Sequence, residues 1–221
     1  AETARTRLAA LGRPAAPSGI SVRRVFEDLP GDPSAVSPDG RYVIHYEDRT
    51  TSNYMVRDLA TGQSRRLTSY DKLSNSLSWD PLFSPDSRRI AYVAWPGEKN
   101  ELHVVGVDGT GNRVVWRTDD DLALNGWFPD GSHVAVVVWS KKKTRLLSVA
   151  LADGAVKVLK EGDATELHHD SWLSPDGKHY VYVKETSKDP LQRDIWCLSL
   201  ESGGETPLVV HPADNGSPRW T

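Results

Sequence analysis

Ser37-Pro38-Asp39-Gly40 returns three more times along the chain, as Ser84-Pro85-Asp86-Ser87, Phe128-Pro129-Asp130-Gly131 and Ser174-Pro175-Asp176-Gly177. Its prolines recur at a period of about 45 residues, the mark of a repeat protein whose unit is a small antiparallel sheet. Pro38, Pro85, Pro129 and Pro175 hold φ near the value that the second position of a type I turn requires. Asp39, Asp86, Asp130 and Asp176 take the third position, and Gly (Ser in the second copy) follows. Such a turn joins two strands, and its carboxylate is expected to accept hydrogen bonds from amides in its own turn or the adjacent unit rather than to serve a ligand.

The rest of each unit follows from this turn. Segments 41–46, 89–95, 133–139 and 179–183 are rich in Val, Ile, Tyr and Trp, which suit a pleated surface. They are largely apolar on both faces, so they should be packed on both sides. A polar loop leads to a third strand over 53–59, 101–107, 144–151 and 194–200. Gly62, Gly109, Gly154 and the pair Gly203-Gly204 then supply the positive φ of a tight hairpin. A fourth strand follows over 64–68, 113–117, 156–160 and 207–211.

Four strands in a unit of about 45 residues make a propeller blade. The fold class is therefore all-β: a β-propeller with four complete four-stranded antiparallel blades at approximately 32–68, 78–118, 123–160 and 170–211. Residues 1–19, rich in Ala, Arg and Pro, predict a flexible tether. Segments 20–26 and 215–221 predict the terminal strands of an incomplete further blade. On this reading the chain is the N-terminal part, or another truncated piece, of a larger propeller; the alternative is a four-bladed ring, which leaves these two strands without partners. The open edges of such a piece are then expected to self-associate, or to close by bringing 20–26 and 216–221 together.

The Ser-Pro-Asp-Gly phrase, the stretch RDLATGQSRRLT at 57–68 and ELHVVGVDGTGNRVV at 101–115 resemble the TolB-type β-propeller repeat, which is also found in the propellers of prolyl-oligopeptidase-like peptidases. The resemblance covers roughly residues 20–221. Ser87 in place of Gly and Phe128 in place of Ser depart from the pattern, and neither removes the Pro-Asp turn. The family hosts translocation scaffolds, peptidase gates, sugar-processing enzymes and sensor domains, so the resemblance implies a fold more sharply than a ligand. It implies a periplasmic or otherwise extracytoplasmic location.

Composition narrows the partners. A net charge of −3 offers no basic field for nucleic acid, and the one cationic run, Lys141-Lys142-Lys143, reads as a solvated loop tip. No run of about 18 apolar residues is present to span a membrane. Cys197 is the single cysteine, so no internal disulfide can form, and its strand context predicts a small buried hydrophobe. Of eight tryptophans, Trp79, Trp127 and Trp172 fall near the innermost strands, where large rings fill the wedge between blades.

In a propeller the Ser-Pro-Asp-Gly turns and the Gly turns share one face. The blade-to-blade connections and the loops between second and third strands share the other, which is the expected binding surface. The connections carry Trp79-Asp80, Asp119-Asp120-Asp121 and His168-His169-Asp170, and these eight residues are the candidate ligand-binding set. Three adjacent carboxylates could hold Ca²⁺, but consecutive side chains cannot all face one ion, so a solvated acidic turn is the competing reading. His168 and His169 have the atoms for a transition metal, yet neighbours in an extended segment point apart. No cofactor or metal is assigned, and no catalytic residue.

A Gly-x-Ser-x-Gly elbow, a Walker loop, a Rossmann fingerprint and a His-Glu-x-x-His pair are all missing from the 221 residues. The expected function is a non-catalytic binding or scaffold module that engages a protein or peptide through its channel-mouth loops. The alternative is an accessory propeller of an enzyme, either a prolyl-oligopeptidase-like gate or a metal-assisted sugar lyase using His168 and His169.

Overall fold

A computed structural model describes residues 32–47, 53–70, 81–163, 170–185, 193–210, 216 and 218–220. Those residues form sixteen strands in four antiparallel sheets of four, and no helix. Blade 1 comprises β1 (Pro33–Val36), β2 (Tyr42–Tyr46), β3 (Tyr54–Asp58) and β4 (Ser64–Arg66). Blade 2 comprises β5 (Leu82–Phe83), β6 (Arg89–Ala94), β7 (Asn100–Gly106) and β8 (Arg113–Thr118). Blade 3 comprises β9 (Asp121–Trp127), β10 (His133–Trp139), β11 (Lys143–Ala150) and β12 (Val156–Asp163). Blade 4 comprises β13 (Trp172–Leu173), β14 (His179–Glu185), β15 (Arg193–Ser199) and β16 (Glu205–Val209).

Each sheet is a meander in chain order, and β1, β5, β9 and β13 touch one another in succession, so the first strands line the axis. The architecture is an all-β propeller of four blades. The tether expected over 1–19 and the strand expected over 20–26 lie outside the described residues.

The recurrent turn is built from two side chains. Ser37 Oγ accepts the Tyr42 N–H at 2.8 Å and donates to Asp39 Oδ1 at 2.6 Å, which also accepts the Arg41 N–H at 3.0 Å. Ser84 with Asp86 and Ser174 with Asp176 repeat the arrangement. Phe128 cannot, and Ser132 compensates from the far side of the turn: its Oγ–H donates to Asp130 Oδ2 at 2.6 Å and its N–H to Oδ1 at 2.9 Å. The other departure also has a use. Ser87 adopts φ 60°, and its Oγ accepts the Asp39 N–H of blade 1 at 3.2 Å.

These bonds hold the four turn carboxyls below their ordinary value of 3.8, chiefly through the serine hydroxyls and then the turn amides. A carboxyl depressed in the folded state adds stability that is complete above its unfolded value and disappears as pH falls through its folded value. Melting temperature should therefore fall steeply with acidification below about pH 4, and replacing all four Asp by Asn should flatten that limb. Thermal melts across the acid range check this; an unchanged slope in the Asn variant would contradict it.

Three apolar clusters lie at the seams between successive blades. Ile44, Tyr54, Val56 and Tyr92 join blades 1 and 2. Val93, Leu102, Leu124 and Val136 join blades 2 and 3, and Ala135, Val137, Leu146 and Tyr182 join blades 3 and 4. The second-strand runs are packed on both faces as their sequence predicts, with Val134 to Val138 almost wholly buried. Trp127 fills the wedge expected of it: its Nε1–H donates to Leu82 O at 3.1 Å across the seam, and the Arg89 guanidinium lies 5.3 Å from its ring centre. Trp172 lies on blade 4, and Trp79 falls outside the described residues.

The same seam is stapled by two arginines. Arg89 Nη2 donates to Gly131 O at 2.8 Å, and Arg113 Nη2 donates to Leu151 O at 2.5 Å. Cys197 departs from expectation. It is half-buried rather than buried, because it shares the face of blade 4 turned away from blade 3 with the half-buried Ile195; partial burial nevertheless pushes its thiol pKa up.

Candidate functional site

The face opposite the Ser-Pro-Asp-Gly turns is organised by side chains that hold the blade-to-blade connections. Asn53, which precedes β3, is buried and makes a clamp. Its Oδ1 accepts the Tyr70 N–H at 2.8 Å and the Thr68 hydroxyl at 3.2 Å, while its Nδ2 donates to Tyr70 O at 3.1 Å. In blade 2, Asn100 Nδ2 donates to Asp120 O at 2.8 Å and so fixes the connection into blade 3. Sequence reasoning missed both residues. The available signal was an Asn after the polar loop of two successive units. Replacing Asn53 by Ala leaves the Tyr70 amide and carbonyl without these partners. It should cost about 2 kcal/mol in chemical denaturation, whereas an exposed control such as Gln63→Ala should cost little.

Charge on this face is paired rather than convergent. The Asp119-Asp120-Asp121 run splits three ways: Asp119 meets Lys99 of blade 2 at 3.4 Å, Asp120 meets Arg145 of β11 at 2.8 Å, and Asp121 begins β9 opposite Trp139. Asp119 and Asp121 are exposed, with the Asp119 side chain 80% accessible. Further out, Glu101 is shared between Arg117 Nε at 2.7 Å and His103 Nε2 at 2.9 Å. Burial alone would raise the Glu101 pKa, but these two partners together hold it below the ordinary range. Glu101 and Arg117 border a shallow cleft of about 270 Å³ with Pro96, Gly97, Glu98 and Lys99.

Of the other candidates, Asp170 stands half-buried at the entry to blade 4. Trp79, Asp80, His168 and His169 lie outside the described residues. Among the described residues no group of three or more His, Cys, Asp or Glu is arranged to hold a metal, and no helix is long and apolar enough to cross a membrane.

One trio on the turn face has the residue types of a hydrolytic site. Ser132 Oγ lies 2.6 Å from both Asp130 Oδ2 and His133 Nδ1. Its order is wrong for catalysis. The single hydroxyl proton goes to the carboxylate, so the imidazole donates to the serine oxygen instead of drawing a proton from it. The trio closes a turn.

No family model matches the chain. An uncharacterized peptidase of Bacillus subtilis, YuxL, is 26% identical over 193 residues, covering 84% of this chain and 27% of that protein. The crystal structure of TolB from Acinetobacter baumannii superposes with a TM-score of 0.62 at 20% identity, covering 82% of this chain and 44% of that one. The acylaminoacyl peptidase of Pyrococcus horikoshii gives a TM-score of 0.59 at 17% identity, covering 80% and 31%. The chain thus spans about a quarter of the length of its curated peptidase relative. With its repeated turn, its four meander sheets and these superpositions, the chain has the β-propeller fold shared by TolB and the propellers of prolyl-oligopeptidase-like peptidases.

Proposed function

We propose that this chain is a non-catalytic binding or scaffold module whose channel-mouth loops engage a protein or peptide segment outside the cytoplasm. The observation that carries the reading is the set of contacts that pin the blade-to-blade connections on that face. Lys99–Asp119, Asp120–Arg145 and the Asn53 and Asn100 clamps lock the connections to neighbouring strands, which gives a rigid platform for recognition. Within that platform Asp119 and Asp121 offer exposed negative charge, which favours a segment bearing basic residues. The extracytoplasmic location rests on the sequence resemblance.

Selection of binders from a random displayed-peptide library tests the proposal. The selected peptides should be cationic, and their affinity for an Asp119→Lys, Asp121→Lys variant should drop at least about tenfold. Peptides that bind both proteins equally, or turnover of chromogenic peptide substrates by the purified chain, would exclude it.

A second reading is favoured by the likeness to YuxL and to the acylaminoacyl peptidase: the module is the accessory propeller of a peptidase, set beside a hydrolase domain. A Gly-x-Ser-x-Gly elbow in the same polypeptide would decide for it. We further propose self-association through the outer edge of blade 4, where Leu208, Val209 and Val210 are exposed. Sedimentation at micromolar concentration tests that, and a clean monomer would refute it.

A further inference from the structure

The seams between blades are repeats of one another, so a side chain present at one and replaced at the next can be read directly. At the seam between blades 2 and 3, Arg89 and Arg113 cross to the carbonyls of Gly131 and Leu151. Arg89 stands four residues after its turn proline, and His133 occupies the same place in blade 3. Arg113 pairs with Val104, which pairs with Ala91; the corresponding chain of partners in blade 3 is Ala135, Ser148 and Lys157. The acceptors have counterparts too. Gly131 corresponds to Gly177, two residues after the turn proline. Leu151 corresponds to Leu200, since their N–H groups bond the equivalent carbonyls of Ser132 and Lys178.

Neither His133 nor Lys157 replaces the arginine it stands for. His133 Nδ1 is turned back onto Ser132, and Lys157 is exposed with no ion pair among the described residues. Among the described residues no side chain donates to Gly177 O or Leu200 O. Where the two guanidinium groups would lie is a groove of about 750 Å³ running between blades 3 and 4. Its lining includes the half-buried apolar side chains of Phe128, Leu159 and Leu200 and the exposed Asp130, Asp176 and Glu201. The exposed Lys157 and Lys178 and the half-buried His133 also line it, so the groove carries three carboxylates beside two ammonium groups and an imidazole.

We propose that this groove binds a guanidinium group, the arginine side chain of a partner polypeptide, which takes the place that Arg89 and Arg113 fill within the chain at the preceding seam. The fork of a guanidinium can reach carbonyl and carboxylate oxygens together, and its flat face can lie on the Phe128 ring. A lysine offers only a point charge. The groove lies on the turn face, opposite the loops of the proposed platform, so it is a second and independent site.

The probe is a blocked tripeptide, acetyl-Gly-Arg-Gly-amide, with citrulline and lysine versions as controls. It is titrated into the nitrogen-15-labelled chain. Shifts should concentrate on the amides of Gly177, Lys178, Leu200 and Glu201, and both controls should bind at least about tenfold more weakly. His133→Arg with Lys157→Arg restores the internal staples; this variant should melt at higher temperature and lose at least about tenfold in affinity for the arginine peptide. Glu201→Gln, which leaves both seams intact, should weaken binding without changing the melting temperature. The proposal fails if citrulline binds as well as arginine, if shifts fall elsewhere, or if the double-arginine variant melts higher yet binds undiminished.

Discussion

Replacing Trp127 by Ala should lower stability by about 4 kcal/mol, at the upper end for loss of a large buried side chain. For a chain of this length that corresponds to a drop of roughly 10 °C in melting temperature. Three separate losses combine. The indole is 8% exposed and belongs to the cluster between blades 2 and 3, so its removal opens a cavity between two sheets. The Leu82 carbonyl loses its 3.1 Å partner. Arg89 loses the ring beneath its guanidinium. Trp127→Phe separates these effects, since it keeps most of the packing while removing the N–H. It should cost about 1–2 kcal/mol. Denaturant unfolding of both variants gives the comparison; equal losses would mean that the hydrogen bond, not the filled wedge, dominates.

The neighbouring residue should be nearly as intolerant of addition as Trp127 is of removal. Gly126 sits at φ 151°, in the bulged stretch where β9 shifts register against β10. A Cβ built there would meet Leu173 Cβ at 2.7 Å, closer than two carbons can approach. Gly126→Ala therefore combines a strained backbone with overpacking between the inner strands of blades 3 and 4, at a cost of about 3 kcal/mol. Leu173→Gly in the same chain should return part of that loss, because it removes the opposing Cβ itself. A double-mutant cycle measures the return; strict additivity would show that backbone strain alone is responsible.

The contrast between turn and loop explains what could be read from the chain. Ser37, Pro38, Asp39 and their counterparts act within five residues of one another, so their geometry is local and the repeat is visible in the string of letters. The compensation of Phe128 by Ser132 is equally local; it was hidden only because the hydroxyl moved to the other side of the turn. The loop face is different. Asp120 finds Arg145 25 residues away and Asp119 finds Lys99 across a blade boundary, so no spacing rule predicts these pairs. The acidic run therefore looked like one feature in sequence and is three in space. Arg89 and Arg113 were likewise silent until the seams could be laid one on another.

The inner strands differ sharply in length: β5 and β13 are two residues each, β1 is four, and β9 is seven. A two-residue ladder contributes little to closing the amides at the axis, whereas β9 to β12 form a sheet paired almost end to end. Solvent deuterium should therefore enter blades 2 and 4 from the channel side while blade 3 remains protected, with the amides of 134–138 and 146–149 the last to exchange. Blade 3 is then the keel of the described structure. Its neighbours can breathe at the axis without parting at the perimeter, and a ligand entering the channel would meet a wall that is firm on one side and yielding on two.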